Sequence, residues 1–350
     1  MQIFVLGMHR SGTSALARTL ALLGCHAGEA SDFPAADDAN PRGYWERRDV
    51  WRLDEDLLQA LGAAWDEVGH LNPELFLSAL RAADLATFER RAREIVAGLD
   101  DGGRPWVVKD PRLCLLFPLW RRVLEKPVCV LIERSPLSVA RSLAARDGFP
   151  LALGLALWER HLRSALLASA GLPRLLVRYE DLIDRPRETA GRLRLDLEAL
   201  GVTGGRGLSE PAAGALEAFL EPTLERHPRE PEVEADLLTP PQRALLDSLH
   251  ADPLPEDPGP LSFGARDLLE RHTADSRQRA TRRAELEDLY ARLAETSANA
   301  AEARERAEAT ARDLTEQART LQEKIAQDSA AFALEHAERL RLEAVLARKR

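Results

Sequence analysis

Short apolar runs alternate along this chain with segments whose leucines recur every three or four residues, a pattern that predicts strands joined by helices. The first run, Ile3 to Leu6, reads as a strand, and Leu16, Leu20 and Leu23 then repeat at helical spacing until Gly24 stops them. Val50, Leu53, Leu57, Leu58 and Leu61 predict a second helix ending at Gly62, and Pro73 to Gly98 a third. Pro105 to Lys109 and Val128 to Ile132 read as strands, separated by a helical piece around Leu115 to Leu124. Ser135-Pro136, a cap residue before a proline, announces the next helix. Leu151 to Ser169 predicts another helix, Arg174 to Val177 a fourth strand, and Leu182 to Gly201 one continuous helix.

The strands are apolar without alternation, as expected of a parallel sheet buried on both faces. Their order predicts an α/β domain, a P-loop-like parallel sheet flanked by helices, with ligands at the carboxyl ends of the strands. Residues 201–260 are rich in Gly and Pro, with short helical pieces at Glu210 to Phe219 and Pro240 to His250. The pattern changes near Ala265. Neither Gly nor Pro occurs after Gly264, and Ala, Glu, Arg and Leu dominate. Leu286, Leu289, Leu293, Thr296, Ala300, Ala303, Ala307, Ala311, Leu314, Ala318, Leu321, Ile325 and Phe332 mark a seam. It predicts a C-terminal α-helical coiled coil with one phase slip, at Ala303 to Ala307 to Ala311, although the alanine-rich seam also suits a single helix laced with charge pairs. The expected domains are therefore 1–265 and 266–350.

Composition narrows the partners. A net charge of −9 over 350 residues disfavours a nucleic-acid-binding surface. Cys25, Cys114 and Cys129 fit neither a disulfide framework nor a metal-ligand spacing, and read as buried, reduced thiols. No apolar run approaches the roughly 18 residues of a membrane helix. The first strand begins at Gln2, leaving no room for a signal peptide, so a cytoplasmic protein is expected.

The chemistry concentrates first in Gly7-Met8-His9-Arg10-Ser11-Gly12-Thr13-Ser14, between the first strand and its helix. A glycine-bearing turn opening a helix directs backbone N–H groups toward an anion at the positive end of the helix dipole. In a nucleotide-triphosphate P-loop a lysine follows the second glycine; here Thr13 stands there, and the loop's only cation is Arg10. The loop resembles the 5′-phosphosulfate-binding loop of the sulfotransferases, and its arginine before Ser-Gly-Thr is similar to that of tyrosylprotein and bacterial carbohydrate members. The resemblance implies a sulfuryl donor, 3′-phosphoadenosine 5′-phosphosulfate (PAPS), a product 3′,5′-adenosine bisphosphate and no required metal. It covers residues 1 to 260.

On that resemblance His9, Arg10, Ser11, Gly12, Thr13 and Ser14 belong to the donor site. Lys109, in Lys109-Asp110-Pro111-Arg112, resembles the lysine that helps stabilise the transition state in tyrosylprotein sulfotransferases; Asp110 is read as structural or as supporting the site residues from behind, rather than as a magnesium ligand. Arg134 ends a strand and Ser142 lies in the second turn of the next helix, so the two can close on one anion, and their separation matches the family's 3′-phosphate motif. Tyr179 resembles a residue that approaches the nucleotide, or else packs in the core. Glu46, after Gly43-Tyr44-Trp45, stands in the segment that supplies a glutamate base in carbohydrate and protein members. A histidine base remains the alternative, with His9 first and His227 in the Gly/Pro-rich tail. The acceptor expected from the resemblance is a carbohydrate hydroxyl on a polysaccharide or glycolipid. The coiled coil suits a homo-oligomer, and peripheral association with a membrane or a partner enzyme is compatible with it. The competing functions are a P-loop kinase or NTPase, and a non-catalytic nucleotide-binding scaffold on a coiled coil.

Overall fold

The computed structural model describes residues 1–35, 43, 45–72, 75–100, 103–220 and 231–347. Four strands, β1 (Gln2–Leu6), β2 (Trp106–Lys109), β3 (Pro127–Glu133) and β4 (Arg174–Arg178), form one sheet in the order β2-β1-β3-β4. All three pairings are parallel, with Val5 opposite both Lys109 and Val130, and Glu133 opposite Arg178. Leu6, Lys109, Glu133 and Arg178 therefore end at one edge. The chain leaves β1 toward β2 on one side and returns to β3 on the other, so the crevice between β1 and β3 is the switch point where ligands bind in such sheets.

Alternate residues of β1 supply two cores. Phe4 and Leu6 pack with α2 (Arg48–Ala60), α4 (Ala82–Leu99), α5 (Leu113–Arg121), α6 (Pro136–Asp147) and α7 (Leu151–Ala168). Ile3 and Val5 face α1 (Thr13–Leu22), α9 (Pro186–Ala199) and α10 (Glu210–Phe219). Both faces being covered explains why the strands read as unbroken apolar runs.

Several elements differ from the sequence expectation. The helix expected over Pro73 to Gly98 is a short α3 (Phe76–Ala79) followed by α4, with extended backbone at Leu80 and Arg81 between them. Residues 182–201 hold the end of α8 (Tyr179–Asp184) and α9, because Arg185 leaves helical geometry ahead of Pro186. An unexpected α11 (Pro231–Leu237) precedes α12 (Pro240–Ser248). His227 lies outside the described residues.

The long helix α13 (Phe263–Ala347) starts before Ala265. The chain divides into Met1–Ser276 and Arg277–Arg350, so the foot of α13 belongs with the sheet. Leu269 and Thr273 are buried there, and the Gly69 N–H donates to Thr273 Oγ1 at 3.3 Å. In the second unit Leu286, Leu289, Leu293, Leu314, Leu321 and Ile325 are all exposed. Cys25, Cys114 and Cys129 are free and buried, and burial pushes each thiol up to about 12. Among the described residues no helix is long and apolar enough to cross a membrane.

Candidate active site

The loop after β1 is shaped by close contacts. Gly12 has φ 89°, and a Cβ there would lie 2.2 Å from the Tyr179 ring. At Gly7 a Cβ would meet Ile132 Cγ2 at 2.5 Å. Arg10 itself has φ 69°, in the left-handed region where non-glycine residues are strained. Helix α1 then opens on Gly12 with no side-chain cap and no acid in its first turn. Its N-terminal dipole is not countered by a local carboxylate, which suits an incoming anion. Ser11 and Thr13 are buried at the same turn, with Ser14 half-buried beside them.

Arg10, Ser142 and Arg134 converge on this loop. Arg10 Nε donates to Ser142 Oγ at 2.9 Å, and Arg134 Nη1 donates to the Arg10 carbonyl at 2.9 Å. The Arg134 guanidinium lies 4.5 Å from the centre of the Tyr179 ring, which also lies against Gly12. Ser142 reaches this point because α6 is set by its own cap: Ser138 N–H donates to Ser135 Oγ, and Ser135 Oγ donates to Glu234 of α11. The arginine and serine paired by spacing thus meet through Arg10.

Glu46 and Lys109 meet in a second cluster. Lys109 Nζ donates to Glu46 Oε1 as a buried ion pair. Trp45, at φ 58°, packs against Phe33 at 5.5 Å and under the Arg18 guanidinium at 5.1 Å, which anchors the residue before Glu46. Arg47, on the other side, is tied to Asp32 at 2.9 Å and Asp49 at 2.7 Å. Burial raises the Glu46 pKa above the ordinary carboxylate range; nearby Asp110 raises it further, while Lys109 opposes the shift. Asp110 is fully buried and accepts from the Arg112 N–H at 2.8 Å. Asp54, which sequence reasoning missed, is also buried and accepts from Trp120 Nε1 at 2.8 Å; burial and Asp110 hold its pKa well above normal.

His9 occupies a different corner. Its ring is 4.4 Å from Trp65 and 6.4 Å from His161 of α7. Burial, with the charges of Arg112, His161, Arg146 and Lys109, lowers its pKa well below the usual imidazole range. Neither Trp65 nor His161 carries a motif, and nothing in their spacing points to the loop.

The sequence matches the model of the sulfotransferase family over residues 2–202, more than half of the chain, and the protein belongs to that family. Among solved structures, the chain is similar to the sulfotransferase domain of the Synechococcus PCC 7002 olefin synthase, at 21% identity and TM-score 0.39 over 78% of this chain and 94% of that one. It is also similar to the sulfotransferase domain from the curacin biosynthetic pathway, at 18% identity and TM-score 0.36 over 77% and 96%. A sulfotransferase from Mycobacterium avium matches at 14% identity and TM-score 0.36, over 65% and 69%. No curated protein matches the sequence.

Proposed function

We propose that this sulfotransferase moves a sulfuryl group from PAPS to an acceptor hydroxyl, by in-line transfer with Glu46 as base. The observation that carries the proposal is the buried Lys109–Glu46 pair at the end of β2, beside a phosphate-type loop that has Thr13 where a triphosphate-binding lysine would stand. The loop suits the donor: Gly7 and Gly12 let its backbone pack directly against Ile132 and Tyr179, α1 is uncapped, and Ser11, Thr13 and Ser14 add hydroxyl donors. Arg134 and Ser142 would hold the 3′-phosphate, with Tyr179 beside the nucleotide and His9 at the margin of the loop. Bound PAPS supplies a sulfuryl group activated as a phosphosulfate anhydride.

The residues then divide the work. Arg10 and Lys109 place positive charge where negative charge develops, the kind of preorganised stabilisation that contributes most to transfer reactions. Lys109 turns from Glu46 toward the transferring group, and Glu46 is released to take the acceptor proton on a carboxylate oxygen. Its raised pKa makes it a stronger base than an ordinary carboxylate. No metal is required by these roles.

The acceptor reading is a carbohydrate hydroxyl on a polysaccharide or glycolipid, supported by the resemblance of Trp45-Glu46 and Lys109-Asp110-Pro111-Arg112 to carbohydrate members. We assign residues 266–350 to a homo-oligomeric coiled coil, supported by the exposed leucine seam; the three buried thiols suit a cytoplasmic setting. The test is transfer of labelled sulfate from PAPS to a panel of glycans by wild type and Glu46→Gln. Turnover should be lost in the variant with 3′,5′-adenosine bisphosphate binding retained. Unchanged turnover in Glu46→Gln would reassign the base, and no transfer by a wild type that still binds the bisphosphate would favour a scaffold.

A further inference from the structure

We propose that Glu234 of α11 is a positioning residue for recognition of the donor's 3′-phosphate: it occupies the positive end of α6 and leaves that phosphate to Arg134 and Ser142. The proposal rests on the sulfuryl-transfer reading of that arginine and serine. Helix α6 has Ser135 as its cap and Pro136 at its start, and its first turn holds no acid. The carboxylate that a helix N-terminus favours comes instead from α11, 99 residues after the cap. Glu234 Oε2 accepts from Ser135 Oγ and from the Leu137 N–H, the latter at 3.3 Å. Glu234 is only 2% exposed, and Leu238, one turn on, is buried in the core beside the sheet.

The turn from β3 into α6 is thereby held from two sides. The Ser135 N–H donates to Glu180 Oε1 of α8 at 3.1 Å. The Ser135 hydroxyl donates to Glu234 and accepts from the Ser138 N–H at 3.2 Å. Ser135, Ser138 and Ser142 stand at i, i+3 and i+7, on one face of α6, and all three are buried. Glu234 fixes the first end of this face. Arg10 meets the other end, through Ser142 at 2.9 Å, while its carbonyl accepts from Arg134 at 2.9 Å.

An anion is kept from the first turn of α6, because Glu234 takes donors there and its charge repels a second anion. The 3′-phosphate is therefore directed to Arg134, just before the turn, and to Ser142, two turns along the helix. Their separation depends on where α6 starts relative to β3. Without the Glu234 oxygen, the Leu137 N–H and the Ser135 hydroxyl lose a buried acceptor, and the first turn shifts to replace it.

The experiment is calorimetric titration of the full chain with 3′,5′-adenosine bisphosphate and with adenosine 5′-monophosphate, with a melting curve for each variant. Glu234→Ala should lower bisphosphate affinity about tenfold and leave monophosphate affinity unchanged, since the 5′ loop keeps its packing against Tyr179 and Ile132. Glu234→Gln retains an accepting oxygen and removes a negative charge, so it should bind the bisphosphate at least as tightly as wild type. Glu234→Asp keeps the charge but shortens the reach by one methylene. It should behave as Glu234→Ala, and it carries the same expectation where the alanine variant does not fold. An equal loss for both nucleotides, an unchanged or higher bisphosphate affinity in Glu234→Ala or Glu234→Asp, or a loss in Glu234→Gln overturns the proposal. Arg134→Ala separates it from its premise. A wild type without preference for the bisphosphate, or a preference that survives Arg134→Ala, refutes the nucleotide reading and the proposal together. A preference lost in Arg134→Ala but kept in Glu234→Ala refutes the role of Glu234 alone.

Discussion

Lys109 and Glu46 form a buried ion pair, and the Lys109 ammonium favours the charged form of Glu46 against its burial. Removing the ammonium in Lys109→Met leaves a buried carboxylate unpaired, at a cost of about 3–5 kcal/mol. The sign of the pH dependence follows from the raised Glu46 pKa. Protonation favours the folded state, so the loss should be absent below the ordinary carboxylate range and grow as pH rises through the elevated value. Chemical denaturation of the variant across that range checks this; a loss independent of pH contradicts a charge on Glu46. The same shift predicts that the acid limb of wild-type turnover lies above the usual carboxylate range; a limb inside that range contradicts Glu46 as the base. At Gly12, alanine would meet both the positive φ and the Tyr179 ring. Gly12→Ala should destabilise by about 1–3 kcal/mol and weaken bisphosphate binding, measured by thermal melting and calorimetry. Normal binding with normal stability would mean that Tyr179 gives way.

Among the elements, the foot of α13 is part of the sheet's own unit. A Cβ at Gly69 would lie 2.6 Å from the Glu270 backbone, and His272 Nε2 stands 3.1 Å from Asp66 Oδ2. Gly69→Ala should therefore lower the melting midpoint, with a cost of about 1–3 kcal/mol from forced separation of packed backbones. Truncation after Ser276 should preserve the fold of residues 1–276, and truncation after Ala265 should not; equal stability of the two would remove the foot from the domain. This boundary shows what periodicity conveys. The absence of Gly and Pro after Gly264 marks a helix, but the burial of Leu269 depends on a glycine two hundred residues earlier. The split at Pro186 was written in the sequence, since proline disfavours helix in the residue before it. The strand and helix order was legible for a simple reason: buried strands carry unbroken apolar runs. The site was legible where local spacing fixes geometry, as in the loop and in Arg134 with Ser142. It was not where contacts cross the chain. Arg10 meeting Ser142, the pairing of Lys109 with Glu46, and His161 behind His9 all arise from sheet order rather than from any motif.

For the whole molecule, the two units make separate predictions. If the seam from Leu286 to Phe332 joins copies of the chain, sedimentation should give an oligomer that Leu289→Glu with Leu293→Glu dissociates, because charges at core positions are not tolerated. A monomeric wild type contradicts it. The first unit carries the central claim, that a loop with Arg10 and a remote pair, Arg134 and Ser142, recognise one nucleotide bearing phosphates at both ends. Charge-assisted hydrogen bonds contribute about 1.5–3 kcal/mol each, so losing the 3′-phosphate should cost at least roughly tenfold in affinity. The most direct measurement is calorimetric titration of the full chain with 3′,5′-adenosine bisphosphate, with adenosine 5′-monophosphate, and with ATP and magnesium. The account predicts that the bisphosphate binds tightest, and that Arg134→Ala brings it down to the level of the monophosphate. Equal binding of bisphosphate and monophosphate by the wild type, or a preference for ATP with magnesium, contradicts it.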